Sequence, residues 1–200
     1  MKNYNYICRP VCDSDSIEKI ASYIYLTDPY IYPAVCASPT DKDWCRFIAQ
    51  CLEDKDNVYC KNNIHAVLYD NEIVGISCVV PCSKKLVFHE NVTPPASIEK
   101  GILKAFDGYY KPLIEESLEF KGCNIVNFCI DKNYRGTGAG TALMSHVTAV
   151  YSDIPIHLDV IADNVPAIKL YEKFGFKKVK EYYGFSGSDT LLPCLHMLKE

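Results

Sequence analysis

Residues 131–141 read Asp-Lys-Asn-Tyr-Arg-Gly-Thr-Gly-Ala-Gly-Thr, with Gly136, Gly138 and Gly140 at alternate positions and Arg135 directly before them. Glycine permits a sharp turn and lets a backbone approach a ligand with no Cβ in the way. Amides freed by such a turn, and the positive end of a helix that follows it, attract phosphate oxygens. Arg135 adds a fixed positive charge. The chemistry on offer is capture of a phosphate-bearing ligand, chiefly by backbone. Two common phosphate loops do not fit: no Lys-Ser or Lys-Thr pair follows the glycines, and their spacing misses G-x-G-x-x-G, so ATP and NAD are disfavoured. From the glycines alone, a turn that merely joins a strand to a helix stays open as a reading.

A phosphate cradle needs a strand before it and a helix after it. Residues 123–130 read as that strand, and residues 138–151 as the helix, with Ala142, Leu143, Met144 and Val147 on its apolar side. A strand at 156–160, a helix at 164–174 and strands at 176–183 and 191–198 follow. Upstream, 4–9 reads as a strand. Asp15 reads as the cap of a helix bearing Ile17, Ile20, Ala21 and Ile24, and Thr40 as the cap of one bearing Trp44, Phe47, Ile48 and Cys51. The proline-bearing stretch 25–39 reads as a loop. Strands at 64–69 and 73–80 join through Asp70-Asn71-Glu72 as a hairpin. Residues 81–121 hold Pro94-Pro95 and helices expected at 97–106 and 112–120, an insertion suited to a lid or substrate wall. The expectation is one domain over residues 1–200 of α+β (mixed α/β) class.

Bulk properties narrow the classes. The formal charge is −4, from 21 Lys plus Arg against 25 Asp plus Glu without long runs of either sign, so no electrostatic footprint for nucleic acid is present. No apolar run approaches the roughly 18 to 20 residues of a membrane span, and Met1 to Pro10 lacks a signal-peptide core. Eleven cysteines lie scattered, without C-x-x-C pairs or histidines at zinc spacing. They read as reduced, mostly buried thiols in a cytoplasmic protein with no metal.

A second segment completes the pattern. Residues 164–176 read Asn-Val-Pro-Ala-Ile-Lys-Leu-Tyr-Glu-Lys-Phe-Gly-Phe. Asn164 is a good N-cap, Pro166 sits in the tolerant first turn, Gly175 stops the helix, and Ala167, Leu170, Tyr171 and Phe174 share a face. This segment resembles the N-x-x-A-x-x-L-Y-x-x-x-G-F run of the GNAT (GCN5-related N-acetyltransferase) superfamily. Arg135, Gly138 and Gly140 resemble its R/Q-x-x-G-x-G/A signature. The close resemblance covers about residues 125–176, a quarter of the chain, while 81–121 matches nothing recognised.

The resemblance implies a twisted mixed sheet of about six or seven strands flanked by helices, splayed between its fourth and fifth strands to hold acetyl-CoA. It further implies a bulge on the fourth strand that frees amides near Phe128, Cys129 and Ile130 for the pantetheine and the thioester carbonyl. The pyrophosphate would lie over the amides of Arg135, Gly136, Thr137, Gly138, Ala139, Gly140 and Thr141. Asn164 would contact the pantetheine arm or fix the loop entering its helix. Tyr171 is the candidate acid that protonates the departing thiolate.

Many relatives carry a carboxylate on the fourth strand as base, and residues 123–130 contain none. His157, Asp159, His89 and Glu90 are the candidates that remain. Cys129 is disfavoured as a covalent nucleophile, since no histidine motif accompanies it. Tyr23, Tyr25, Tyr30, Tyr32, Tyr109 and Tyr110 can line an acceptor pocket or serve as core and surface residues. The expected reaction is transfer of an acetyl group to a primary amine of a small molecule or peptide, in a monomer or homodimer. A non-catalytic acyl-CoA-binding module is the alternative.

Overall fold

The computed structural model describes residues 4–27, 32–82, 91–105, 120–185 and 191–200. Its strands are β1 (Ile7–Pro10), β2 (Ile64–Tyr69), β3 (Glu72–Pro81), β4 (Cys123–Ile130), β5 (Ile156–Ile161), β6 (Lys177–Phe185) and β7 (Leu191–Lys199). They form one seven-stranded sheet in the order β1-β2-β3-β4-β5-β7-β6. Every neighbouring pair is antiparallel except β4 with β5, so the sheet is mixed. The helices are α1 (Ile17–Thr27), α2 (Tyr32–Val35), α3 (Lys42–Glu53), α4 (Ala96–Ala105), α5 (Ala139–Val150) and α6 (Val165–Lys173). None among the described residues is long and apolar enough to cross a membrane.

The helices cover both faces. Ile20, Ala21 and Ile24 of α1 and Trp44, Phe47, Ile48 and Cys51 of α3 pack on Ile64, Ala66, Ile76 and Cys78. On the opposite face, Leu143, Met144 and Val147 of α5 and Tyr171 of α6 pack on Val67, Val79, Ile125, Leu158 and Met197. The Trp44 indole N–H donates to the Ala21 carbonyl at 2.9 Å and so ties α3 to α1 while satisfying a buried polar group.

Both caps expected upstream shift by one residue. Asp41, not Thr40, caps α3, its carboxylate accepting from the amides of Asp43 and Trp44. The α1 cap falls to Ser16, whose hydroxyl accepts from the Lys19 amide at 3.2 Å. Asp15 is engaged elsewhere: its two oxygens pair with Arg9 at 2.7 Å each, and the Cys12 amide donates to one of them. A short carboxylate that can form a forked ion pair leaves the cap to the adjacent hydroxyl. The stretch expected to be a loop at 25–39 contains the end of α1 and the single turn α2. The β2–β3 hairpin turns on Asp70 (φ 50°) and Asn71 (φ 62°), with Tyr69 opposite Glu72, a two-residue turn for which these residue types are suited. The helix expected at 97–106 is α4, and the one expected at 112–120 lies outside the described residues apart from Phe120.

Two irregularities make room at the centre. Cys78 pairs with Asn127 and Val79 with Ile125, so Val126 is an extra residue on β4. A single extra residue swaps the faces of all that follows. Cys123 and Ile125 accordingly pack with α5 and α6, as do Phe128 and Ile130, while Val126 and Cys129 turn toward α1 and α3. The second irregularity is the short seam between β4 and β5, which pair at Cys123–Ile156, Asn124–His157 and Ile125–Leu158 and no further. Beyond Ile125 and Leu158 the strands part.

His65 of β2 is a buried histidine in the α5 layer, with Nδ1 3.1 Å from His146 Nε2 and Nε2 3.1 Å from the Tyr151 hydroxyl. Burial, aided by His146, pushes its pKa down to about 4. The unfolded chain then binds the proton more readily than the folded one, so this residue's contribution to stability is complete above about pH 6.5 and is lost as pH falls toward 4. Urea unfolding is expected to show a loss on the order of 2 kcal/mol between pH 7 and pH 5. A His65→Gln variant should show a smaller loss over that interval.

Candidate active site

The segment from Ile130 to Thr141 leaves β4 at the point where it has separated from β5. Asp131 Oδ1 accepts from the Asn133 amide at 2.8 Å and opens a single 3-10 turn, Lys132–Tyr134. The Tyr134 carbonyl then accepts from the Thr137 hydroxyl at 2.6 Å, and Tyr6 of the N-terminal strand region also bonds that hydroxyl. Arg135 Nε donates to the Ile130 carbonyl at 3.0 Å, which pins the loop to the end of β4, and the residue as a whole is exposed.

Gly136 (φ 75°) and Gly138 (φ 101°) adopt left-handed backbone. A side chain at either would be strained by that conformation rather than by crowding, since a Cβ at Gly136 would meet nothing within 4 Å and one at Gly138 only Tyr6 at 4.0 Å. Gly138 is the N-cap of α5 and supplies no side-chain cap. The first intrahelical bond runs from the Ala142 amide to the Gly138 carbonyl at 2.9 Å, so the amides of Ala139, Gly140 and Thr141 have no partner within the helix. An uncapped amide ring at the positive end of a twelve-residue helix, entered through open glycine backbone, fits a pyrophosphate.

Gly140 marks where three elements meet. A Cβ there would lie 3.5 Å from Leu170 of α6, 3.6 Å from Ile130 and 4.0 Å from Phe128 of β4. Tyr171 follows Leu170, with its ring edge-on to Phe128 at 6.2 Å between centroids and 5.9 Å from Phe176. Its side chain is buried and its hydroxyl has no hydrogen-bond partner among the described residues; burial pushes its pKa far up. The phenol therefore remains protonated well beyond neutral pH. Asn164 Oδ1 accepts from the Ala167 amide at 3.4 Å, so its side chain caps α6 and fixes the loop entering it.

The backbone of β4 divides the three residues expected to face the gap. The Asp131 amide donates to the Val74 carbonyl at 2.9 Å. By the alternation of an antiparallel ladder, Cys129 then also directs its backbone to β3, while Phe128 and Ile130 direct theirs to the side from which β5 has departed. Burial pushes the Cys129 thiol up to about 11, which suits a packing role and not a thiolate nucleophile.

Asn127 Nδ2 donates to Thr27 of α1 at 2.6 Å, and its Oδ1, like Asn124 Oδ1, is buried without a partner among the described residues. Tyr23, Tyr25 and Tyr32 belong to the core, with Tyr23 donating to the Ile73 carbonyl at 3.0 Å and Tyr32 bonded to Tyr59. Tyr30, His89, Glu90, Tyr109 and Tyr110 lie outside the described residues. His157 and Asp159 of β5 are joined through His196 of β7, which bonds both at 3.0–3.1 Å. No local pattern in the sequence singles out His196, because nothing but the β5–β7 register relates it to Asp159. Among the described residues no three His, Cys, Asp or Glu side chains are grouped to hold a metal ion.

The model of the acetyltransferase (GNAT) family matches residues 29–176. The chain belongs to this family. A curated relative from Sulfurisphaera tokodaii, named N-alpha-acetyltransferase, is 37% identical over 100 residues, covering 42% of this chain and 59% of the relative. A Bacillus subtilis subsp. natto relative, named probable spermine N(1)-acetyltransferase, is 41% identical over 54 residues, 25% of this chain and 36% of its own. The chain thus spans about three-fifths or less of the length of these GNAT relatives. Among solved structures, an N-acetyltransferase from Staphylococcus aureus Mu50 superposes with a TM-score of 0.70 at 17% identity, covering 96% of this chain and all of that one. That likeness is one of fold, and the GNAT fold is what the seven-stranded sheet and its flanking helices form.

Proposed function

We propose that this chain is an acetyl-CoA-dependent N-acetyltransferase acting on a primary amine of a peptide or small molecule, by direct attack in a ternary complex. The observation that carries the reading is the uncapped, glycine-opened start of α5, set beside the parting of β4 and β5 and against Leu170 of α6, whose neighbour Tyr171 packs edge-on to Phe128. We read residues 1–200 as one domain in which 81–121 is an insertion.

The donor supplies an activated acyl group and a thiol leaving group. The amides of Ala139, Gly140 and Thr141, with those of the Arg135–Gly138 turn, hold its pyrophosphate, and Arg135 adds charge. Backbone groups of Phe128 and Ile130 face the gap and orient the pantetheine and the thioester carbonyl. The Tyr171 hydroxyl, protonated and unpartnered among the described residues, donates to the departing sulfur. Names of relatives support an amine acceptor of either peptide or polyamine kind.

The test is release of free thiol from acetyl-CoA in the presence of peptides with a free α-amine and, separately, of spermine. Amine-dependent release with at least one acceptor class is the expected result. Saturable acetyl-CoA binding without turnover of any amine would instead assign an acyl-CoA-binding module.

A further inference from the structure

On the sheet face opposite α5 and α6, four side chains and a carbonyl form one hydrogen-bonded chain. The Tyr182 hydroxyl of β6 donates to Asp159 Oδ1 at 2.9 Å, and His196 Nδ1 lies 3.0 Å from the same oxygen. His196 Nε2 lies 3.1 Å from His157 Nδ1, and His157 Nε2 lies 3.1 Å from the Lys121 carbonyl. Register places the members: Asp159 is directly opposite His196, and His157 is two residues back along β5. Phe120 stacks on His157 at 4.7 Å and lies 5.1 Å from His196, and the two rings are only 6% and 8% exposed.

Counting hydrogens shows what such a chain does. A carbonyl can only accept, so His157 Nε2 carries a hydrogen. The contact between the rings needs one more, and the contact between His196 and the Asp159 carboxylate a third. Two neutral imidazoles hold only two hydrogens on four nitrogens. With all three contacts made, the ring pair therefore carries one proton beyond neutrality, balanced by Asp159. Without it, one contact is open and the pair is ready to take up a proton.

Asp159 is the first β5 residue past the last pairing with β4, and its Oδ2 has no partner among the described residues. We propose that Asp159 is the base that deprotonates the acceptor amine, with His196 and His157 as positioning residues that take up the proton behind it. This rests on the acetyltransferase reading. An alkylamine acceptor arrives as an ammonium and must lose a proton before it can attack. One N–H bond breaks and its proton enters the chain at Asp159, closing the open contact between the rings and the carboxylate. The freed lone pair forms the C–N bond as the thioester C–S bond breaks. A second proton leaves nitrogen as the amide forms, and it replaces the one that Tyr171 gives to sulfur. The ring proton then returns to solvent. Of the other titratable side chains on this face of β5, β6 and β7, Tyr182, Lys180 and Lys177 belong to β6 and Cys194 to β7, with the Lys180 ammonium 5.7 Å from the Tyr182 ring centre and Lys177 in register, through Leu198, with His157. Burial, with His196 assisting, holds His157 below the usual imidazole range, which favours the proton-accepting form near neutral pH.

The test uses Asp159→Asn, His196→Asn and His157→Gln in the full chain, with two readouts. In the first, kcat/KM is measured against pH for an alkylamine and for a weakly basic amine that is neutral at the assay pH. The variants should lose about 100-fold on the alkylamine, with the acidic limb of the profile displaced, and far less on the weakly basic amine. Equal losses on both amines, or an acidic limb unmoved by His196→Asn, overturn the proposal. In the second, imidazole NMR of the free protein should show one hydrogen shared between the two rings, with that signature altered in Asp159→Asn; rings that share no hydrogen, or a signature indifferent to that change, overturn it. A wild-type protein that binds acetyl-CoA yet acetylates no amine at any pH rejects the acetyltransferase reading itself, and the base assignment with it. Active wild type with the wrong profile rejects the base assignment alone.

Discussion

Replacing Gly138 by valine is expected to weaken acetyl-CoA binding at least 100-fold while the sheet and both helical layers stay folded. Gly138 sits at φ 101°, where a β-branched residue costs about 1–3 kcal/mol, so the variant must either store that strain or turn the first peptide units of α5 away from their present direction. Either response, together with a side chain in open space at the mouth of the amide ring, degrades the proposed phosphate site. Only Tyr6, at 4.0 Å, lies near the position a Cβ would take, so the core need not rearrange. Isothermal titration with acetyl-CoA and near-ultraviolet circular dichroism separate the two effects. Affinity within about threefold of wild type would remove the start of α5 from the donor site.

Tyr171→Phe should lower kcat by about 10²- to 10³-fold with little change in the dissociation constant for acetyl-CoA. The ring keeps its contacts with Phe128 and Phe176, and only the hydroxyl is lost. Because that hydroxyl makes no hydrogen bond among the described residues, its removal should leave stability nearly unchanged. Burial holds the phenol protonated, so the wild-type rate should show no alkaline limb from Tyr171 below about pH 10. Pre-steady-state measurement of thiol release reads the chemical step directly. Unchanged turnover in the variant would exclude Tyr171 as the proton donor.

The parts assigned to the proposed donor side were legible because they are local. Glycines that need left-handed backbone, an N-cap at Asn164 and a stop at Gly175 each declare themselves within a few residues, and the strand–turn–helix order around them follows from periodicity. The bulge at Val126 was expected on β4, but its position depends on the register with β3, which no local pattern in residues 123–130 reveals. Caps misplaced by one residue at Asp15 and Thr40 share a cause, two capping side chains standing in a row, and at Asp15 a competing ion pair with Arg9 decides between them. The proposed acceptor side was nearly illegible. His196 lies 37 residues from Asp159 in the chain, and only the pairing of β5 with β7 makes them neighbours.

The most direct test of the proposed donor site is thermal unfolding with and without acetyl-CoA, beside matched NAD and ATP controls. A ligand that binds only the folded state stabilises it by mass action, so at about a hundredfold excess over its dissociation constant acetyl-CoA should raise the midpoint by roughly 5 to 10 °C. NAD and ATP should leave it within error. No shift under saturating acetyl-CoA, or equal shifts with all three ligands, would contradict the assignment of the α5 amide ring and the β4–β5 gap to an acyl-CoA donor.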